Sequence, residues 1–126
     1  HGIGRAVAEK YLEQGHKVAI SARSSDSLLE IASNSKVSKI NYMVLPLDVL
    51  DESSVKAAYQ DIIKNWQKID LFIYGSAIYK PAAISEIDTQ YAKQTINVNL
   101  TAIFDFLGLI ILHQLIMLLV SNLLKC

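Results

Sequence analysis

The chain reads as an α/β protein, part of a doubly wound parallel sheet, on three observations. Short apolar runs at Lys17–Ser21, Tyr42–Leu47 and Leu71–Tyr74 alternate with segments of helical spacing. Strands joined through helices of this length are parallel neighbours in one sheet, with right-handed crossovers. The segments Gly2–Gly4, Ala22-Arg23, Asp48-Val49 and Tyr74–Ala77 all fall at strand ends or at the helix starts beside them. Ligands of such sheets bind along that edge.

The first helix is marked by Ile3, Val7, Ala8, Tyr11 and Leu12, which share one face, and Gly15 stops it after Gln14. The glycines at its start let a ligand approach the backbone, and the free N–H groups there suit a phosphate. Such a G-x-G is also common at simple helix caps. Lys17–Ser21 is a strand between Gly15 and Arg23-Ser24. Ser25 or Asp26 then caps a short helix carrying Leu28, Leu29 and Ala32, and Ser33 to Lys39 form a polar loop. Pro46 cannot donate to a ladder, so the strand Tyr42–Leu47 ends there or lies at a sheet edge. Asp51 caps the clearest helix, with Val55, Ala58, Tyr59, Ile62, Ile63 and Trp66 in the i, i+3, i+4, i+7 pattern. Leu71–Tyr74 is the third strand, and a helix runs from about Ser85 or Asp88 toward Asn97. From Phe106 to Leu124 no Asp, Glu, Lys or Arg occurs. That stretch is close to the roughly 20 residues of a bilayer span. Its polar interruptions at His113, Gln114, Ser121 and Asn122 favour a buried helix, or one meant for a partner subunit.

Composition narrows the function. Of 126 residues, 52% are hydrophobic and 19% charged, which implies a buried core and argues against disorder. Lys+Arg and Asp+Glu both number 12, without a basic cluster, so nothing asks for nucleic acid. The single cysteine is the last residue, Cys126, and His1, His16 and His113 are scattered. No internal disulfide and no metal site are expected. A secretory leader is not expected, and the chain reads as beginning inside a longer protein.

With these segments placed, the chain resembles the short-chain dehydrogenase/reductase family over residues 1–108. Gly2-Ile3-Gly4 is similar to the end of the family's T-G-x-x-x-G-x-G cofactor loop, whose leading Thr-Gly and preceding strand are absent. Asp48-Val49 resembles its aspartate-plus-aliphatic pair beside the adenine. Asp70 to Ala77 aligns with its D-x-L-V-N-N-A-G stretch, though Tyr74-Gly75-Ser76-Ala77 departs from N-N-A-G at every position. Asn97-Val98-Asn99-Leu100 resembles its N-V-N-L segment, whose second Asn belongs to a catalytic tetrad.

The resemblance implies a Rossmann-like doubly wound parallel sheet, partial because the first and the C-terminal strands are missing. Residues 1–108 would form part of a dinucleotide-binding domain, and 109–126 an apolar helical tail of aberrant or anchoring character. Gly2, Ile3 and Gly4 would face the cofactor pyrophosphate, Asp48 and Val49 the adenine, and Ala77 the nicotinamide ribose. Asn99 would be the one catalytic residue present. The turn after the second strand position reads Ser21-Ala22-Arg23-Ser24, with no acid to bond a ribose diol. Arg23 offers a guanidinium fork to a 2′-phosphate, which favours NADP(H) over NAD(H). A solvated loop arginine is the plainer alternative.

The family's Tyr-x-x-x-Lys pair has no counterpart: none of the six tyrosines is followed by Lys four residues on. Tyrosine at its ordinary pKa near 10 is a poor acid-base group at neutral pH. Turnover by these 126 residues alone is therefore not expected. The intact parent would be an oxidoreductase moving hydride between the nicotinamide and a small carbonyl or alcohol substrate, cytoplasmic and homo-oligomeric. The rival readings are a non-catalytic dinucleotide-binding module and a membrane-tethered fragment held through 106–124.

Overall fold

The computed structural model describes residues 2–24 and 41–123. The short helix and polar loop expected over 25–39 lie outside the described residues.

Helix α1 (Ile3–Glu13) buries Ala8 and Leu12 and pairs Arg5 with Glu9 at 2.8 Å, one turn apart. Its end is a Schellman motif. The His16 amide donates to the Tyr11 carbonyl at 3.1 Å and that of Gly15 to Leu12 at 2.9 Å, with Gly15 left-handed at φ 82°. That reversal delivers the chain into strand β1 (Val18–Ala22), which pairs in parallel with β2 (Tyr42–Pro46). The register runs from Val18 opposite Tyr42 to Ala22 opposite Pro46. Both strands match the apolar runs to within a residue. Pro46 stands at the last rung, and the next amide, Leu47, donates to the Ala22 carbonyl at 3.0 Å.

Helix α2 (Glu52–Trp66) starts where the sequence places it. Asp51 Oδ1 accepts from the Ser53 amide at 2.9 Å and from the Ser53 hydroxyl at 2.7 Å. The helix turns Val55 (0% exposed) and Ala58 inward. They meet Leu45, Leu47 and Val49 from β2 and the segment after it, and Val98 and Ala102 from the chain's last third.

The expected third strand at Leu71–Tyr74 is not a strand in this structure. Residues 71–78 do alternate, with Phe72, Tyr74, Ser76 and Ile78 half-buried and their odd-numbered neighbours exposed. Among the described residues no strand runs alongside them, so no ladder forms. Alternation records a pleated backbone with one covered face; it does not record a hydrogen-bonding neighbour. Phe72 is held by its stack on Phe106, with ring centroids 5.1 Å apart.

After a 3₁₀ turn (Ile84–Glu86), Asp88 caps helix α3 (Thr89–Ile96) by accepting from the Gln90 amide at 2.9 Å. The helix does not stop near Asn97. It passes through a π turn (Asn97–Thr101) into α4 (Ile103–Leu123), which crosses residue 108 without a break. Phe106 and Leu109 of α4 pack on the core. His113 Nε2 lies 3.1 Å from the Gln67 carbonyl, and Gln114 Nε2 donates to that of Ile69 at 3.4 Å. Beyond these contacts Leu115, Ile116, Met117, Leu118 and Val120 are exposed. The helix expected to be buried is thus only partly covered: Phe106 and Leu109 are half-buried, while Phe104, Ile111 and Leu112 are exposed like the residues beyond them. Apolar composition shows that a surface favours cover; what covers it depends on neighbours. By length and composition alone, the 30-residue helical stretch Thr89–Leu118 is apolar enough to cross a membrane, with 6% of its most apolar part buried.

Candidate functional site

Parallel pairing puts the carboxyl ends of β1 and β2 at one edge, because Ala22 and Pro46 share the last rung. The Schellman reversal runs α1 back along β1, which returns its glycine start toward the same edge. Gly2 caps α1 at φ 104°, a conformation that favours glycine, and no side chain caps the first-turn amides. A Cβ added at Gly2 or Gly4 would meet nothing within 4 Å, and Ile3 is 86% exposed. The backbone there is open to a ligand, with the positive end of a helix dipole behind it.

Arg23 follows β1 and is exposed. Asp48 follows β2 in a turn of its own making: its Oδ1 accepts from the Leu50 amide at 3.0 Å, while its amide donates to Ser54 Oγ at 3.2 Å. Val49 is buried in the core, so its peptide, not its side chain, is what this edge can offer. Open amides at a helix start, a guanidinium at one strand end and a carboxylate at the next are chemically suited to a dinucleotide's phosphates and hydroxyls.

Asn99 is brought to Ile78, the residue after Ala77, from 21 residues away. The side-chain amide of Asn99 embraces that residue's backbone: Oδ1 accepts from the Ile78 amide at 2.8 Å, and Nδ2 donates to the Ile78 carbonyl at 3.0 Å. Asn99 thus gives Ile78 the two bonds a neighbouring strand would give. Ile78 and Tyr74 also pack on the cluster that contains Val49 and Val98. The Asp48-Val49, 74–78 and Asn97–Thr101 segments therefore share one support.

Sequence reasoning passed over Tyr74, treating it as a departure from the family's asparagine. Its hydroxyl donates to the Val98 carbonyl inside the π turn. Burial pushes the phenol's pKa above its ordinary value, against a smaller opposing effect from a hydrogen bond with Ser76. The visible signal was a bulky phenol where small polar residues were expected; its acceptor, 24 residues away, is not legible in any local pattern.

Helices against a parallel sheet, with the glycine start and strand ends at one edge, define an α/β chain of the Rossmann class. A short chain dehydrogenase family profile matches residues 1–116, and the chain belongs to that family. Among curated proteins it is 30% identical over 102 residues to a sorbitol dehydrogenase of Cereibacter sphaeroides, covering 79% of this chain and 38% of the relative. It is 27% identical over 113 residues to a probable NADP-dependent dehydrogenase of Haemophilus influenzae, covering 87% and 43%. A solved short-chain dehydrogenase/reductase from Brucella melitensis superposes with a TM-score of 0.82 at 20% identity, over 88% of this chain and 47% of that one. One from Caenorhabditis elegans, of unknown function and crystallised with cofactor, gives 0.80 at 25% identity, over 89% and 44%. The chain thus spans less than half the length of these relatives.

Proposed function

We propose that this chain is the dinucleotide-binding portion of an NADP(H)-dependent oxidoreductase that moves hydride between the cofactor and a small carbonyl or alcohol substrate. The observation that carries the reading is the shared edge of β1 and β2, where an uncapped glycine helix start, Arg23 and Asp48 offer complementary donors and an acceptor. Gly2, Ile3 and Gly4 hold the pyrophosphate through backbone amides. Arg23 bonds the 2′-phosphate, Asp48 and the Val49 peptide border the adenine, and Ala77 lies beside the nicotinamide ribose. The nicotinamide supplies or accepts the hydride when bound. Asn99 keeps the Ala77–Ile78 backbone in place beside it. The name of the Haemophilus relative, NADP-dependent, agrees with the arginine argument. The protein acts in the cytoplasm as a homo-oligomer, a second copy covering the exposed Leu115, Ile116, Met117 and Val120 of α4. A membrane-spanning role fits less well, because His113 and Gln114 join the middle of the helix to the polar turn at Gln67–Ile69.

The test is titration of the purified chain with NADPH and NADH, monitored by nicotinamide fluorescence. Saturable binding with preference for NADPH is expected. Absence of binding to both would overturn the dinucleotide reading, and preference for NADH would overturn the assignment of Arg23.

A further inference from the structure

We infer that Tyr74 is a positioning residue: its phenol sets the register of the π turn and thereby seats Asn99 on the Ile78 peptide. In an α-helix the Ala102 amide would reach Val98. Here it donates to the Asn97 carbonyl at 2.9 Å, one residue further back. The Val98 carbonyl has lost its α-helical donor and accepts the Tyr74 hydroxyl instead. Were that hydroxyl absent, the carbonyl would be buried beside the largely covered Val98 with no such partner, and the Ala102 amide would be drawn back to it. An extra residue in the turn rotates the two flanking helical segments by about 100° relative to a regular helix. That rotation governs where Asn99 faces.

The consequence lies in the segment without a ladder. Tyr74 and Ile78 are four residues apart on an extended backbone, about 13 Å. Each is bonded to the same π turn, Tyr74 through Val98 and Ile78 through Asn99. The two attachments bracket Gly75, Ser76 and Ala77. They fix those residues where a neighbouring strand would otherwise do so. The functional weight of this bracket rests on the proposal that Ala77 borders the cofactor; the bracket itself does not.

Hydrogen exchange at single amides tests it, on residues 1–126 in whatever state of association the chain takes. Tyr74→Phe keeps the ring among Phe72 and Phe106 and removes the hydroxyl. The readout is the Ile78 exchange rate relative to that of Val55, whose amide bonds Asp51 in α2. Tyr74→Phe is expected to raise that ratio about tenfold, the size of one net hydrogen bond. Asn99→Ala, which removes the embrace directly, raises it at least as much. An unchanged ratio in Tyr74→Phe overturns the inference, whether neither rate moves or general loosening raises both equally. NADPH affinity is measured in parallel. A raised ratio with unaltered NADPH binding leaves the positioning role standing and counts against Ala77 as a cofactor neighbour; failure of the wild-type chain to bind NADPH tells against the proposed function alone.

Discussion

Arg23 carries the cofactor assignment with one side chain. It stands after β1, exposed, where an acid would have selected a ribose diol. A hydrogen bond to a charged group contributes about 1.5–3 kcal/mol. Arg23→Ala is therefore expected to weaken NADPH by roughly 10- to 150-fold and NADH little, read as dissociation constants from fluorescence titration. Equal loss for both cofactors would sink the assignment. Tyr74 gives a second prediction at this scale. Its folded pKa is raised by burial, so the native state holds the phenolic proton more tightly than the unfolded chain. Stability from this group is fully present below the unfolded value near 10 and is lost as pH rises from there through the folded pKa. Tyr42 and Tyr59 are shifted the same way, also by burial, and add to the same alkaline loss. A wild-type urea midpoint that falls above about pH 10, and falls less in Tyr74→Phe, is the expected result.

Among the elements, α2 is where local and tertiary signals agree most fully. Asp51 supplies the cap and Val55 the buried contact, within one turn of each other. Asp51→Ala is expected to destabilise the helix, measured as a lowered urea midpoint of the helical circular dichroism. The Asp51 carboxyl is held below its ordinary pKa, first by the Ser53 hydroxyl and further by the amides of Ser53 and Ser54, with desolvation opposing. Its contribution is present above the unfolded value of about 3.9 and is lost as pH falls through the folded pKa. The Asp51→Ala penalty is therefore expected to shrink in strong acid; a constant penalty would show that the carboxylate is not what caps the helix. Val55→Ala removes two methyl groups from a fully covered site and is expected to cost about 2 kcal/mol by the same measurement. The 71–78 segment is the opposite case: its alternation is clear and its ladder is missing, so Tyr74 and Asn99 do the holding.

Across the whole molecule, the apolar content and the cover available for it do not match. The exposed residues include Leu71, Ile73, Leu100 and Phe104 as well as Leu115, Ile116, Met117 and Val120 of α4. Two paired strands make a small sheet, and parallel strands are normally covered on both faces. Exposed apolar surface of this extent marks an interaction site or an aggregation liability. Purified residues 1–126 without detergent are expected to elute as a self-associated species in size-exclusion chromatography with light scattering. A monodisperse monomer with a cooperative melt would show that the chain covers this surface by itself.

Periodicity and turn chemistry alone determined α1 with its Gly15 stop, the strands now seen at Val18–Ala22 and Tyr42–Pro46, and the Asp51 cap, and narrowed the start of α3 to Ser85 or Asp88. All depend on bonds or side-chain spacings within a few residues. The same reading placed Gly2, Arg23 and Asp48 at strand ends or a helix start, because chain order and parallel topology decide that edge. The tertiary structure alone decided that Val49 turns inward, that 71–78 lacks a ladder, and that α3 runs on through a π turn. It also decided that Asn99 grips Ile78 and Tyr74 reaches Val98, and that Phe106 and Leu109 of α4 meet the core while Phe104, Ile111 and Leu112 stay exposed. Each of these rests on a partner distant in sequence or on a neighbour's presence, and a local pattern carries the appetite for a contact without naming what meets it.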